Sequence, residues 1–319
     1  MKAEPPFFSI IIPTYARPKQ LASCLQALAQ LDYPTERFEV IVVDDGSPEP
    51  MNEGLDPFRD AYDRALRLPW GIKLIRQPNA GPATARNTGA AHAKGEFLAF
   101  TDDDCAPDAG WLQALANRFS ATPDKLLGGQ TVNALSENLF ATASQQLISY
   151  LYSYYNHAPN QARFLTSNNF ALSAARFKEL RGFDTTFPLA AGEDREFCDR
   201  WLHYGYQIGY VPEAIVYHRH ALSLTGFWRQ HFNYGRGAFH FHQVRAQRQQ
   251  EAIKVEPLSF YLNLLRYPLT QTCPDPGRKR PLRAWLLMAL MILSQVANTA
   301  GFFWQRIQRT LFRNEARAA

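Results

Sequence analysis

The strongest constraint on the fold is an alternation of two hydrophobic periods near the N-terminus. Phe8-Ser9-Ile10-Ile11-Ile12 is a β-rich run ended by Pro13, and Leu21, Leu25, Leu28 and Leu31 then recur at helical spacing. The pattern repeats. Phe38 to Val43 reads as a buried strand, 52–68 as a helix, Ile72 to Ile75 as a strand, 82–93 as an Ala-rich helix, Phe97 to Phe100 as a strand and 111–119 as a helix. Strands that alternate with helices imply right-handed crossovers, hence an α/β fold with a mostly parallel central sheet, helices on both faces, and functional groups at the carboxyl ends of the strands. A chain of 319 residues has core enough for one large domain with appendages, or for two domains.

After residue 120 the alternation gives way to mixed elements: an aromatic helix-like stretch with Tyr150, Tyr152, Tyr154 and Tyr155, a helix from Glu193 to Tyr204, and two strands, Gln207 to Val211 and Ala214 to Tyr217. From 222 onward the chain is helical, basic and aromatic, which puts a soft boundary near 220, with domains 1–220 and 221–319. Charge divides at the same place. Residues 1–220 hold 20 Lys/Arg against 25 Asp/Glu, and 221–319 hold 14 against 4. The C-terminal part is therefore expected to meet something anionic, a membrane surface or nucleic acid, unless it is simply a solvated basic tail.

Cys24, Cys105, Cys198 and Cys273 are scattered, without a C-x-x-C pair or a His at zinc-ligand spacing, and read as reduced, mostly buried thiols. Met1 to Phe8 carries Glu4, Pro5 and Pro6 before a short apolar run, so it lacks the hydrophobic region of a signal peptide and predicts a cytosolic location for the bulk of the protein.

Chemistry concentrates in Thr101-Asp102-Asp103-Asp104, directly after an apolar strand. Three consecutive carboxylates repel one another and call for a cation. In an extended segment Asp102 and Asp104 project to one side, spaced for one hard divalent ion, Mg²⁺ or Mn²⁺, that completes its shell with water and phosphate oxygens. An acidic loop capping the next helix is the plainer alternative. Asp44-Asp45-Gly46-Ser47 ends the second strand, where a carboxylate could bond a base or ribose, although Asp-Gly is also an ordinary turn. Gly81-Pro82 opens the helix bearing Arg86 and Asn87, and Arg86 suits a phosphate or carboxylate. Glu193-Asp194-Arg195-Glu196 opens another helix, where carboxylates are favoured by the dipole. His218-Arg219-His220 closes a strand, so a single His could join a metal site.

Taken in order, Ser9-Ile10-Ile11-Ile12-Pro13-Thr14-Tyr15, Val42-Val43-Asp44-Asp45-Gly46-Ser47, Gly81 through Arg86-Asn87, the Asp triplet, Gly182-Phe183-Asp184 and Glu193-Asp194 resemble the family 2 glycosyltransferases of the GT-A fold over roughly residues 7–220. The resemblance implies a nucleotide half at about 1–105 and an acceptor half at about 106–220. It makes Thr14 and Asp45 base or ribose contacts, Arg86 a nucleotide-facing residue, and Asp102 and Asp104 the ends of a D-x-D, with Asp102 also on the nucleotide. It further makes Asp194 the general base and His218 a metal-site His. Glu193 and Arg236 fall to the acceptor or lid side. Thr101 and Cys105 depart from the residues many members carry there, Leu and Asp, without removing a D-x-D carboxylate.

The implied activity is transfer of a sugar from a nucleotide-diphosphate donor to a hydroxyl of a glycan or lipid-linked acceptor. The metal neutralises the leaving diphosphate, and Asp194 takes the acceptor proton in one inverting displacement. Trp285 to Trp304 contains no charge and lies between Arg278-Lys279-Arg280, Arg283 and Arg306, Arg309, Arg313. It predicts a helix lying in a membrane interface on the cytoplasmic side, with a full span or a buried core helix as alternatives. Phe227 to Gly237 interleaves aromatics and cations; Arg236 in it could meet phosphates, or the stretch could be a docking helix. A nucleotidyltransferase would want glycines in the Pro13-Thr14-Tyr15-Ala16-Arg17 loop, and a non-catalytic nucleotide-binding scaffold would want Asp104 or Asp194 replaced. Nucleic acid is not expected, because the basic residues accompany an apolar helix.

Overall fold

The computed structural model describes residues 4–48, 72–158, 161–253, 256–270 and 280–318. The helix expected over 52–68, and Cys273, lie outside them. Described elements run β1 (Phe8–Thr14), α1 (Pro18–Leu28), β2 (Phe38–Asp44), β3 (Ile72–Arg76), α2 (Pro82–Ala91), β4 (Phe97–Phe100), β5 (Cys105–Pro107), α3 (Trp111–Phe119) and β6 (Leu126–Asn133). They continue with α4 (Leu139–Tyr155), β7 (Phe170–Ser173), α5 (Ala174–Glu179), α6 (Glu193–His203), β8 (Ile208–His218), α7 (Leu224–Gln249), α8 (Leu258–Thr270) and α9 (Arg280–Ala318).

All eight strands form one sheet in the order β3-β2-β1-β4-β7-β6-β8-β5. β1 runs parallel to β2 and β4, β2 to β3, and β6 to β8; β4–β7, β6–β7 and β5–β8 are antiparallel. Pro13 does not end β1, which continues to Thr14 in register with β2. The Ile11 carbonyl faces β4, accepting from the Thr101 N–H, and pairing with β4 stops at Ile11↔Phe100. Pro13 therefore turns its missing N–H toward the side where the ladder has already ended, and costs no bond. The two strands expected between 207 and 217 are one strand, β8, with an irregularity opposite Gly129/Gln130.

Helices cover both faces. Ile10, Ile12, Val40 and Val42 pack with Leu21, Leu25 and Leu28 of α1 and Trp111, Leu112, Leu115 and Phe119 of α3. On the opposite face Ile41 and Val43 meet Ala85 of α2, and Phe100, Phe170, Phe177, Phe183 and Phe197 make an aromatic cluster with ring centroids 5.0–5.9 Å apart. Burial of this many aromatic rings supplies much of the driving force, each ring removing 150–250 Å² from water in round terms, roughly. Cys24, Cys105 and Cys198 are free and buried, as expected.

The chain forms two compact units, residues 1–134 with 155–219, and residues 135–154 with 220–319. The first holds the sheet. The second is helical: Leu147 and Tyr150 of α4 pack with Phe260 and Leu264 of α8 and Met291 of α9, and Ala143, Phe227 and Leu287 form a further cluster. Leu287, Met291, Ser294, Ala297 and Gly301 make the buried stripe of α9. A Cβ on Gly235 of α7 would collide with the Asn298 carbonyl, and one on Gly301 with the Phe232 carbonyl. The α7 and α9 backbones thus approach too closely for a side chain at either glycine. Along the rest of α9, Trp285, Ile292, Val296, Phe303, Trp304 and Ile307 are exposed. The stretch Leu282–Thr310 is long and apolar enough, at a mean hydropathy of 1.7, to cross a membrane.

Candidate functional site

The carboxyl ends of β1, β2 and β4 bring Thr14, Asp45 and the Asp102–Asp104 triplet together on one edge, because parallel neighbours in register end side by side. The antiparallel pairing of β5 with β8 adds His218 opposite Cys105. Its Nε2 lies 3.3 Å from Asp104 Oδ1, and the Arg219 N–H donates to the Asp104 carbonyl at 2.8 Å. Burial works against a charged imidazole here, but the Asp104 hydrogen bond and charge outweigh it and raise the His218 pKa.

The triplet does not act as three equal carboxylates. Asp102 accepts from Arg86 Nη2 at 2.7 Å. Asp103 accepts from the Thr14 hydroxyl at 2.7 Å. Arg17, from the turn after β1, sets Nη1 3.3 Å from Asp103 Oδ1 and 3.2 Å from Asp104 Oδ2. Burial, together with the charge of Asp104, pushes the Asp103 carboxyl up to about 7 against the opposing pull of Arg17 and Thr14.

Arg86 is the central cation of the edge. It is 2% exposed, donates Nη1 to Glu193 Oε1 at 3.0 Å, and stacks over the Phe183 ring at 5.6 Å. A guanidinium between two carboxylates holds them in a planar fork that lysine cannot reproduce. Its helix is fixed to the Gly182-Phe183 turn: Asn87 Nδ2 donates to the Phe183 carbonyl at 2.9 Å and the Phe183 N–H to Asn87 Oδ1 at 2.8 Å. Gly182 adopts φ +68°, and a Cβ there would both strain the backbone and collide with Asn87 Oδ1. The two motifs are halves of one joint.

Asp45 is spent on its own loop, its carboxylate accepting from Gln77 Nε2 at 2.7 Å, Ala80 N at 2.9 Å and Gly81 N at 2.8 Å. It shapes the turn that starts α2. Glu193 and Asp194 open α6 after Gly192. Glu193 is buried on Arg86, while Asp194 is half-buried and accepts from the Arg195 N–H at 2.7 Å. Burial raises both carboxyls, the Asp194 charge adding to the effect on Glu193 and Arg86 opposing it in each. Of the residues singled out from sequence, Thr14, Asp45, Arg86, Asp102, Asp104, Glu193, Asp194 and His218 lie in the sheet-bearing unit; Arg236 belongs to the helical one, where its Nε donates to Gln305 at 3.0 Å. In the sequence Asp103 reads only as the middle of the triplet and Arg17 only as part of the loop after the first strand, neither with a role of its own. The position of Arg17, just beyond the same strand edge as the triplet, was the available signal.

The donor set suits a divalent ion. Asp104, Cys105 and His218 each offer one atom, all within 4.8 Å of one another. A carboxylate oxygen and an imidazole nitrogen are ligands for Mn²⁺ and its neighbours, and so small a set leaves positions for phosphate oxygens. Burial, with the charge of Asp104 adding to it, holds the Cys105 thiol well above its ordinary pKa.

Known proteins resemble this chain in sequence and in fold. The chain is 39% identical over 124 residues to the glycosyltransferase AglE of Haloferax volcanii, covering 39% of each sequence. It is 30% identical over 206 residues to the pre-mycofactocin glycosyltransferase of Mycobacterium tuberculosis, covering 63% of this chain and 42% of that one. The chain thus spans about two fifths of the length of these relatives. The fold is shared with a mannosyltransferase from Pyrobaculum calidifontis solved with GDP-Man and Mn²⁺, at a TM-score of 0.60 and 18% identity over 93% of this chain and 88% of that one. The sequence profile of Glycosyl transferase family 2 matches residues 9–181 and that of Glycosyl transferase family group 2 matches 98–305; the chain is a member of glycosyltransferase family 2 with a GT-A-like fold.

Proposed function

We propose that the protein transfers a sugar from a nucleotide-diphosphate donor to an acceptor hydroxyl, with inversion, in the making of a glycolipid or surface polysaccharide. The observation that carries this reading is the Arg86 fork, which ties the D-x-D carboxylate Asp102 to Glu193, the immediate neighbour of Asp194, through bonds of 2.7 and 3.0 Å. It holds the group that would receive the leaving diphosphate and the group that would take the acceptor proton in one rigid frame.

In this reading Asp102, Asp104 and His218 hold the divalent ion, Mn²⁺ fitting the mixed oxygen and nitrogen donors better than Mg²⁺. When bound, the ion neutralises charge on the diphosphate. Thr14 and Asp45 border the base and ribose, and Arg86 sets Asp102. Asp194, whose carboxyl is held above the ordinary carboxylate range by burial, is the base that takes the acceptor proton, a role worth about 10²–10⁴-fold in rate. Glu193, held by Arg86, fixes the start of the helix that carries that carboxylate, and Arg236 serves the acceptor side. The exposed apolar residues of α9, with Arg283, Arg306 and Arg309 beside them, support binding to an anionic membrane surface on the cytoplasmic side, where a lipid-linked acceptor would be met.

The test is a thermal-shift screen of nucleotides and nucleotide sugars with and without Mn²⁺. Stabilisation by a nucleotide diphosphate or its sugar only when the metal is present is expected; equal stabilisation in chelator removes the metal from the reading.

A further inference from the structure

Arg17 is placed with more care than a surface cation needs. It follows Ala16, whose φ of +53° is a left-handed conformation that an alanine adopts at a cost. That turn is held from the neighbouring strand. The Ala16 N–H donates to Ser47 Oγ at 2.8 Å, Ser47 Oγ donates to Asp44 Oδ1 at 2.5 Å, and Arg76 Nη2 donates to the Ser47 carbonyl at 2.7 Å. The ends of β1 and β2 thus cooperate to aim one guanidinium at Asp103 and Asp104.

The two oxygens of Asp104 face different cations. Oδ1 lies toward His218 Nε2 and Oδ2 toward Arg17 Nη1. A divalent ion on the His218 side would stand next to the guanidinium across a single buried carboxylate, and like charges at that separation repel strongly where water is scarce. The Arg17 side chain is 47% exposed while Asp103 and Asp104 are 5% and 8% exposed. The arginine can therefore turn outward, whereas the carboxylates stay where they are. An arginine fork released from carboxylates finds equivalent partners in the oxygens of a diphosphate.

We propose that Arg17 is an internal competitor of the metal: it neutralises Asp104 in the empty site and gives up the carboxylate only when a nucleoside diphosphate offers it another anionic partner, so that metal and nucleotide enter together. This rests on the metal and donor assignment above. Coupling of this kind is reciprocal, since whatever the nucleotide does for the metal the metal does for the nucleotide. It keeps the site closed to free metal and offsets part of the repulsion within the triplet between turnovers.

The experiment measures Mn²⁺ binding to the full chain by electron paramagnetic resonance of the free ion, with and without GDP or UDP, for the unaltered protein, Arg17→Ala and Arg17→Lys. The unaltered protein should bind Mn²⁺ weakly alone and about tenfold or more tightly with the nucleotide. Arg17→Ala should bind Mn²⁺ alone about tenfold more tightly than the unaltered chain, with the nucleotide-dependent gain correspondingly smaller. Arg17→Lys keeps the charge and should stay weak. Folding is checked by the melting transition of each variant. Should Arg17→Ala prove misfolded, Arg17→Gln takes its place, because it also removes the charge: a rise of about tenfold in its affinity for Mn²⁺ alone supports a competing cation and no rise contradicts one. If the unaltered protein binds Mn²⁺ with nucleotide and a folded Arg17→Ala binds the ion alone no better, Arg17 is not a competitor. If no combination binds Mn²⁺ at all, the metal assignment itself fails and this proposal falls with it.

Discussion

The strand edge at Asp102–Asp104 and the helix seam between α7 and α9 are both buried, yet they are built on opposite principles. At the edge, charge is met by charge: Arg86 by Asp102 and Glu193, Arg17 by Asp103 and Asp104, His218 by Asp104. At the seam, backbone meets backbone across Gly235 and Gly301, and His231 is enclosed with neither ring nitrogen hydrogen-bonded among the described residues. The lesson is that the edge spends stability to hold a reactive constellation, whereas the seam gains stability from closeness alone. Substitutions at the first should cost chemistry and leave the fold; substitutions at the second should cost the fold.

The largest effect is expected at Asp194. Asp194→Asn keeps the shape and removes proton acceptance, so turnover should fall by about 10²–10⁴-fold while donor binding, followed by calorimetry, stays near that of the unaltered protein. Comparable turnover for Asn and Asp would take the general-base role away. At the seam, Gly301→Leu forces the helices apart and should destabilise the helical unit by several kcal/mol, on the order of 3 or more, as overpacking of a tight contact does. The readout is a separate early melting transition; a single unchanged transition would show that the contact contributes little.

His231 sharpens the contrast through pH. Burial, with the nearby His220 charge adding to it, lowers its pKa to about 4 from 6.5. The unfolded chain therefore takes up a proton in a range where the folded protein refuses it, and stability falls as the pH drops from about 6.5 toward 4, by up to about 3 kcal/mol. His231→Leu should flatten that dependence in denaturant titrations at successive pH values. A slope unchanged by the substitution would assign the pH response to other groups. Smallest of all, Thr101 at the strand edge buries a hydroxyl that has no partner among the described residues. Thr101→Val removes an unmet polar group at nearly constant shape and should raise stability by about 1 kcal/mol, without altering donor binding. A loss of stability would mean that the hydroxyl is satisfied in solution.

The same contrast explains what could be read in advance. The edge was legible because Thr14, Asp45, Asp102, Asp104 and His218 sit at the ends of apolar runs, and strand ends are marked locally by a change from apolar to polar residues. Arg86 was legible as a residue but not as a fork, since its partner Glu193 is 107 positions away. The role of Arg17 was missed because it depends on the register of β1 against β4 and on a left-handed Ala16, neither of which a linear pattern encodes. Pro13 misled for a related reason: a proline ends a strand only where its missing N–H is needed, and that depends on how far the neighbour extends. The three antiparallel pairings were equally hidden, being set by the return paths of β5 and β7 rather than by hydrophobic period. On the helical side, composition marked α9 as apolar and uncharged, but only the fold shows that Leu287, Met291, Ser294, Ala297 and Gly301 line its buried face and Trp285, Phe303 and Trp304 its exposed side.

The central claim is that the paired charges of the edge are the frame of a metal-dependent transferase. Its most direct test is the turnover of the donor identified by the thermal-shift screen, measured in chelator, after readdition of Mn²⁺, and in Asp104→Ala under the same conditions. The account predicts that chelation lowers turnover at least about 100-fold, that Mn²⁺ restores it in the unaltered protein, and that Asp104→Ala remains inactive at any concentration of the ion, since the metal's charge stabilisation is worth several kcal/mol. Full turnover of the unaltered protein in chelator, or of Asp104→Ala without metal, would contradict it.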